Sequence, residues 1–286
     1  MVKTFSMSLV AKTNKRNSTG EARVPKIPKV SELPDADKLA QVVTLPRNIA
    51  QRFQGLDAIL AFDIETHDKV KEKVSIWTLG KYGCQARVSP QTLHSLRIVQ
   101  IGWAVGNVGA PFPQTSSRIV KPHDFFITQE GTRIHGISQE RAEESGEALA
   151  DVLTDFMATV QLWRARGVRL AAHHLEFDAG IIAAEMERSC LFQLRRIWED
   201  LLCDCICTMD PDIASWLRSE NGIMDYRDDK PMSRNIPLGL VDATRLLVPN
   251  CEEHCSQHHA ADKDSMMTWL VCRELVKRSA IPLPSS

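Results

Sequence analysis

The sequence predicts a domain of the α/β class. Two apolar runs, Ala58–Glu65 and Leu96–Val105, have the length of buried strands, and the second is rich in β-branched residues. Further strands are expected at 118–121, 168–174 and 203–208, and helices at 138–160, 179–190 and 260–278. In the helix at 138–160 apolar residues recur near helical spacing after Ser138, a plausible N-cap. Strands that alternate with helices along the chain are typical of α/β domains.

Composition indicates an ordinary globular chain. The 286 residues are 43% hydrophobic and 25% charged. No segment approaches the roughly 20 apolar residues that a membrane span requires, so a membrane protein is not expected. The eight cysteines accompany no secretory signal, and a chain of this size does not depend on disulfides. We therefore expect reduced thiols in an intracellular protein.

Charge is distributed unevenly along the chain. Residues 1–30 carry a net charge of +6, so the remainder of a chain with net charge −1 carries −7. A basic arm of this kind favours binding to nucleic acid or recognition as a nuclear or organelle address, and the alternative is a solvated tail. We expect residues 1–56, which contain four prolines, to form a largely disordered extension. The domain is then predicted at 57–278, with insertions at about 66–95 and 220–234, and a tail at 279–286.

Two acids interrupt the first predicted strand. Asp63 and Glu65 are two residues apart, so in a strand their carboxylates project from the same face of an apolar ribbon. Burying two anions side by side requires a compensating cation or a shared proton. A divalent metal satisfies this requirement, whereas a strand end at which both acids reach water would need none.

Further acids follow later elements. Asp178 comes after the strand at 168–173 and is expected to cap the next helix at the mouth of the sheet, with an ordinary N-cap as the alternative. His259 and Asp264 are five residues apart, about 1.4 helical turns, so they border one cavity only if His259 lies at or just before the helix start. Alone, this pair is more typical of a surface.

Five segments in order resemble a known family. Phe62–Thr66 (FDIET), His173–Asp178 (HHLEFD) and His259–Asp264 (HAADKD) are similar to the three motifs of the DEDDh branch of the 3′→5′ exonucleases, the group of ribonuclease T and the polymerase proofreading subunits. Ile134–Ser138 (IHGIS) and Val99–Gly102 (VQIG) resemble further segments of that family. The resemblance covers roughly Ala58–Leu275. Two departures are His67–Asp68 after the first motif and His174, where relatives usually have Asn.

The resemblance implies a ribonuclease H-like fold, a mixed five-stranded sheet flanked by helices. It also implies a 3′→5′ exonuclease that releases nucleoside 5′-monophosphates from single-stranded RNA or DNA. Two Mg²⁺ or Mn²⁺ ions would bind to four carboxylates, and a histidine would act as general base. The implied metal ligands are Asp63, Glu65, Asp178 and Asp264, and the implied base is His259. The implied substrate-binding residues are Ile64, Thr66, His135 and Phe177.

Three alternatives stay open from the sequence. Cys251, His254, Cys255, His258 and His259 are close enough together to suggest a structural zinc site, although no second Cys pair stands at finger spacing. A nucleic-acid-binding protein that has lost catalysis, or a proofreading subunit that acts within a polymerase complex, would also fit. Trp77, Tyr82 and Phe126 either stack a terminal base or, as the more usual outcome, pack in the core.

Overall fold

The computed structural model describes residues 45–70, 90–221, 238–256 and 259–280, together with four two-residue strand segments, 78–79, 85–86, 224–225 and 230–231. The predicted basic arm, residues 281–286 of the predicted C-terminal tail, most of the two predicted insertions, and the side chains of Trp77, Tyr82 and His258 lie outside these residues. No helix in the described part of the chain has both the length and the apolar character needed to cross a membrane.

The described strands are β1 Ala58–Thr66, β2 Thr78–Leu79, β3 Gln85–Ala86, β4 Ile98–Asn107, β5 Gln114–Ile119, β6 Arg169–Ala172, β7 Ile206–Cys207, β8 Met224–Asp225 and β9 Lys230–Pro231. Five of them form one mixed sheet in the order β5-β4-β1-β6-β7. Strand β4 is antiparallel to both of its neighbours, whereas β1, β6 and β7 are parallel to one another. Two further pairs, β2–β3 and β8–β9, are short antiparallel hairpins within the predicted insertions.

Eleven helices are present in the described residues. They are α1 Arg47–Phe53, α2 Pro90–Ser95, α3 Gln129–His135, α4 Gln139–Ser145, α5 Leu149–Arg164, α6 Leu175–Arg188, α7 Phe192–Leu201, α8 Pro211–Glu220, α9 Leu240–Leu247, α10 Glu252–Cys255 and α11 Ala261–Ser279. The mixed five-stranded sheet flanked by these helices confirms the predicted α/β class and sheet type.

The main hydrophobic core lies between the sheet and helices α5, α6 and α7. Strand β1 contributes alternate residues, among them Phe62, whose ring lies 5.9 Å from that of Phe156 and 5.2 Å from that of Trp198. The side chains between them, such as those of Ile59 and Ala61, are buried on the other face, where α11 packs across β1 and β4. Strand β1 is therefore covered on both faces, which explains its nearly continuous apolar sequence.

A buried carboxylate joins helix α6 to the start of β4. Glu185 is fully buried, and its Oε1 accepts hydrogen bonds from the Arg97 guanidinium at 3.1 Å and from the Ile98 amide at 3.0 Å. Its Oε2 accepts a bond from Arg188 at 3.0 Å. Because the charge is paired and fully hydrogen-bonded, this anion is tolerated in the interior.

Two predicted boundaries differ from the structure. The domain begins before Asp57, because α1 buries Ile49 and Phe53 and contacts α11. The single helix expected at 138–160 is two helices, the first capped by Ser138 as predicted and ended at Gly146. The chain leaves the helical path there because Glu147 forms backbone hydrogen bonds with Ile119 and Lys121 at the end of β5, 2.9 and 2.8 Å long.

Candidate metal centre

Strand β1 places two carboxylates at its C-terminal end. Asp63 and Glu65 alternate with the core residues Phe62 and Ile64, so they share the opposite face of the strand, as predicted. Glu65 is 8% exposed and Asp63 is partly buried. The two acids therefore lie side by side near the C-terminal end of the central strand, where they are largely buried, and not at a fully solvated strand end.

Asp178 joins them from helix α6. The predicted N-cap role is wrong, because the helix begins at Leu175 with His174 as its cap residue, which places Asp178 one turn inside. The backbone amides of Phe177 and Asp178 both bond to the carbonyl of His174, at 2.8 and 3.2 Å, so the helix starts directly where the chain leaves β6. The Asp178 carboxylate is buried near the backbone amide of Ile64, between the two acids of β1; burial raises the pKa of Asp178, and this amide opposes the rise.

Asp264 and His259 complete the group from the last helix. His259 lies just before α11, the arrangement that the five-residue spacing requires, and adopts a left-handed backbone conformation with φ 68°. Its backbone N–H donates to both carboxylate oxygens of Asp264, each at 3.2 Å. Ligand atoms of Glu65, His259 and Asp264 all lie within 4.8 Å of one another.

Crowding of acids raises their pKa values. Burial raises the pKa of Asp63 well above its ordinary value, and Asp178, Asp264 and Glu65 raise it further. Burial and then Asp264 raise the pKa of Glu65 to about 8. The pKa of Asp264 rises to about 7, mainly through burial, while the His259 amide opposes the rise. These shifts place the four carboxylates in one mutually repelling cluster.

The donor set fits a hard divalent cation. Four carboxylates offer the oxygen ligands that Mg²⁺ and Mn²⁺ prefer, and a bound cation would offset the repulsion among them. Across the described ranges, the set of Glu65, His259 and Asp264 is the one group of three or more acidic, histidine or cysteine side chains within metal-binding reach. Asp63 and Asp178 lie outside that tight set, although both interact electrostatically with Glu65.

The predicted substrate-binding residues lie around this centre. Ile64 has a buried side chain, and the Thr66 hydroxyl donates to the carbonyl of Asp68 at 2.8 Å. His135 accepts the Ile137 amide on Nδ1 at 3.1 Å. Burial lowers the pKa of His135, the Thr66 backbone opposes that shift, and the neighbouring His259 adds to it, which places the His135 ring beside the cluster.

Two aromatic side chains behave differently near the site. Phe177 is partly buried and stacks on His174, with ring centroids 5.5 Å apart and an interplanar angle of 10°. Phe126 is 80% exposed, so the expected core packing of this residue is wrong. It lies two residues before Thr128, whose hydroxyl donates to Asp68 just after β1.

The departure at His67–Asp68 has a structural role. Thr128 donates two hydrogen bonds to this segment. Its hydroxyl donates to the Asp68 carboxylate at 3.0 Å, and its backbone amide donates to the His67 carbonyl at 2.8 Å. Gly131 packs so closely that a Cβ there would lie 2.7 Å from the His67 carbonyl oxygen. These contacts hold the first turn of α3, the helix that ends at His135.

The alternative zinc site is not assembled by the described residues. Cys251 and Cys255 are buried, and their thiols are hydrogen-bonded to each other. The His254 ring faces Phe112 with centroids 6.1 Å apart. These two thiols meet no third ligand from the described part of the chain, and His258 lies outside it.

Two residues beside the site, Gln100 and Gly102, have no role that the sequence alone predicts. Gln100 and Gly102 belong to the VQIG segment on β4, and both contact the start of α11. The register pairs Gly102 with Asp63 and Gln100 with Glu65. The sequence does contain a signal for these two residues. A glutamine and a glycine interrupt an otherwise apolar strand, and that strand is predicted to lie beside the strand with two acids.

Comparison with known proteins gives structural similarity alone. No family model and no curated protein matches this chain. A structure titled exonuclease I (apo) aligns with 78% of this chain and 42% of its own at 17% identity and a TM-score of 0.49. A zinc-bound E. coli exonuclease I complex with single-stranded DNA gives 18% identity, a TM-score of 0.49, and 78% and 40% coverage. Cell-death related nuclease 4 gives 13% identity, a TM-score of 0.42, and 79% and 65% coverage.

This chain spans about two fifths of the length of those exonuclease I chains. The identities and TM-scores are low, so the function is inferred from the residues of the site.

Proposed function

We propose that this chain is a metal-dependent 3′→5′ exonuclease that hydrolyses the terminal phosphodiester of single-stranded RNA or DNA. The observation that carries the proposal is the convergence of four carboxylates from three separate elements on the end of β1, with ligand atoms of Glu65, His259 and Asp264 within 4.8 Å. Buried acids that repel one another destabilise the metal-free fold, so a retained cluster of this kind indicates a functional site. A bound divalent cation would offset the repulsion, and carboxylate oxygens are the ligands that hard cations prefer. The motif resemblance supports the direction of digestion and the release of nucleoside 5′-monophosphates.

The side chains divide the work of the reaction. Asp63, Glu65, Asp178 and Asp264 would hold two Mg²⁺ or Mn²⁺ ions, which supply a water of lowered pKa and charge stabilisation for the departing 3′ oxygen. His259 is exposed at the edge of the cluster, where its imidazole can take the proton of the attacking water. The left-handed backbone of His259 directs its amide to Asp264, so one residue both fixes a ligand and presents the base.

Substrate contacts are proposed on the His135 side of the cluster. His135 Nδ1 accepts the Ile137 amide, so its proton resides on Nε2, which is buried beside the Thr66 backbone next to the acids. Thr66 and the Ile64 backbone lie beside the acids, and Phe177 offers a partly exposed ring. The exposed Phe126 is suited to stacking on a base further along the strand.

The cellular setting is inferred from the thiols. None of the seven described cysteines forms a disulfide bond, and we propose a reducing, intracellular setting for this protein.

Product analysis tests this proposal. The protein is incubated with 5′-labelled single-stranded RNA and DNA in Mg²⁺, in Mn²⁺ and in EDTA. We expect a ladder that shortens from the 3′ end, mononucleotide 5′-phosphates as product, and no reaction in EDTA. Internal cutting, or undiminished digestion in excess chelator, would contradict the proposal.

A matched pair of variants separates the site from the fold. Asp264→Asn removes a ligand, whereas Asp262→Asn makes the same change on the same helical turn outside the tight set. We expect Asp264→Asn to abolish turnover and Asp262→Asn to retain most of it, with equal far-ultraviolet circular dichroism. Retention of wild-type turnover in Asp264→Asn would show that Asp264 is not a metal ligand of the centre. A protein that binds single strands but never cleaves them would instead be the catalytically inactive accessory subunit.

A further inference from the structure

The last helix begins without a side-chain cap of its own. Helix α11 starts at Ala261, and its N-cap residue, Ala260, offers no side-chain acceptor. The first amide of the helix is nevertheless satisfied, because Ala261 N–H donates to Oε1 of Gln100 at 3.0 Å. Gln100 is 7% exposed and lies on β4. The cap of this helix is therefore supplied by the sheet.

Gly102 lets the same helix start approach the sheet. A Cβ at this position would lie 2.2 Å from the carbonyl carbon of Ala261 and 2.3 Å from the amide nitrogen of Asp262. Both atoms belong to the backbone, so no side-chain rotation would make room. Gln100 and Gly102 are two residues apart and therefore contact α11 from one face of β4.

This contact lies directly beside the metal centre. Gln100 is paired in register with Glu65, and Gly102 with Asp63. The helical turn that they hold carries Asp264, which in turn accepts the His259 amide. Any displacement of Ala261 would therefore change the separation of Asp264 and His259 from Glu65.

We propose that Gln100 and Gly102 form a clamp that positions Asp264 and His259 against Glu65 and thereby sets the affinity of the centre for divalent cations. The inference rests on the proposed function, because it assigns these residues to that same centre. Both are positioning residues, since they act on the carboxylate ligands through the backbone of α11. Groups that orient metal ligands typically change metal affinity by about 10- to 100-fold when they are removed.

The first test is calorimetric titration of Mn²⁺ into the full chain without nucleic acid. Gln100→Met removes the acceptor and nearly preserves side-chain volume, whereas Gln100→Glu keeps an acceptor oxygen at the same reach. We expect Gln100→Met to raise the Kd for Mn²⁺ about tenfold and Gln100→Glu to stay near or below the wild-type Kd. A merely structural role would lower the melting temperature of Gln100→Met and leave its Kd within twofold of wild type, which would overturn the clamp. Equal impairment of the Met and Glu variants would overturn it as well.

The second test uses two glycines of the same strand. Gly102→Ala forces the start of α11 away from β4. In Gly106→Ala the nearest atom, Cα of Pro113, would lie 3.3 Å from the new Cβ, and the change is remote from Ala261. We expect a weakened Mn²⁺ affinity in Gly102→Ala alone, and equal affinities in the two variants would contradict the proposal.

Hydrogen exchange separates failure of the clamp from failure of the proposed function. If the wild-type protein binds no Mn²⁺, the proposed metal centre is wrong. The clamp is then tested by amide exchange in the metal-free protein. Gln100→Met must accelerate amide exchange at Ala261 and Asp264 relative to wild type, by about tenfold. Unchanged exchange at both amides would refute the clamp whatever the metal does.

Discussion

Replacing Glu65 by glutamine should stabilise the metal-free protein while it weakens metal binding. Burial and the neighbouring Asp264 raise the pKa of Glu65 from 4.5 to about 8. The folded protein therefore holds this proton more tightly than the unfolded chain does. Its free energy of unfolding consequently falls as pH rises from about 4.5 to about 8 and then levels off. Glutamine keeps the shape of the side chain and removes the titration.

The magnitude follows from the pKa difference. Between pH 4.5 and pH 7 the unfolded carboxyl group is ionised while the folded group remains mostly protonated, a span of 2.5 pH units from the ordinary pKa. At about 1.4 kcal/mol for each unit, Glu65 lowers the free energy of unfolding by up to about 3 kcal/mol at pH 7. Glu65→Gln should recover much of this at pH 7 and little at pH 4.5.

Urea denaturation in EDTA at pH 4.5, 6 and 7 measures the effect. Glu144→Gln, at an exposed position on α4, provides the same chemical change away from the cluster and should follow wild type at every pH. Addition of saturating Mn²⁺ should stabilise wild type more than Glu65→Gln, because only the wild type keeps the ligand. If wild type and Glu65→Gln differ by a constant amount across this pH range, the folded protein does not raise the pKa of Glu65 and the acids do not repel one another as described.

Three further predictions concern other parts of the chain. Asparagine tolerates the left-handed backbone of His259, so His259→Asn should remove the imidazole without strain. This variant should lower kcat by roughly 10²–10⁴ and flatten the acidic limb of the pH–rate profile. His258→Ala should lower kcat much less, and equal losses in the two variants would show that His259 is not the base. Burial lowers the pKa of His173 from 6.5 to about 4. As pH falls, the imidazole of the unfolded chain is therefore protonated before that of the folded protein. The free energy of unfolding should fall by about 3 kcal/mol between pH 6.5 and pH 4. The free energy of unfolding of His173→Asn should show a shallower pH dependence over that range, and parallel curves would contradict the assignment. Deletion of residues 1–30 should raise KM at low salt with kcat unchanged, and an unchanged KM would assign the arm to another role.

The features predicted correctly from the sequence are those that local periodicity determines. Alternation alone places Asp63 and Glu65 on one face of β1, because the two-residue repeat of a strand does not depend on distant contacts. The position of His259 before α11 likewise follows from a spacing within six residues. Ser138 is recognisable as a cap because its partner, the amide of Arg141, is three residues away.

The features missed depend on contacts between distant segments. Gln100 gains its role only when Ala261, 161 residues later, reaches β4. The helical pattern of 138–160 continues through Gly146, but pairing of Glu147 with Ile119 at the end of β5 breaks the helix. Asp178 resembles an N-cap because polar residues precede it, yet burial of Leu175 draws the helix start from 179 to 175, four residues earlier.

The hydrogen-bonded carboxylate of Glu185 also restricts how this sequence can diverge. Loss of Glu185 alone would leave the Ile98 amide and the Arg97 guanidinium without their acceptor in the interior, at about 3–5 kcal/mol. Arg188 lies closer to solvent, and its loss leaves Glu185 two donors. In related chains we therefore expect Arg188 to vary first, and Glu185 and Arg97 to be retained or replaced together.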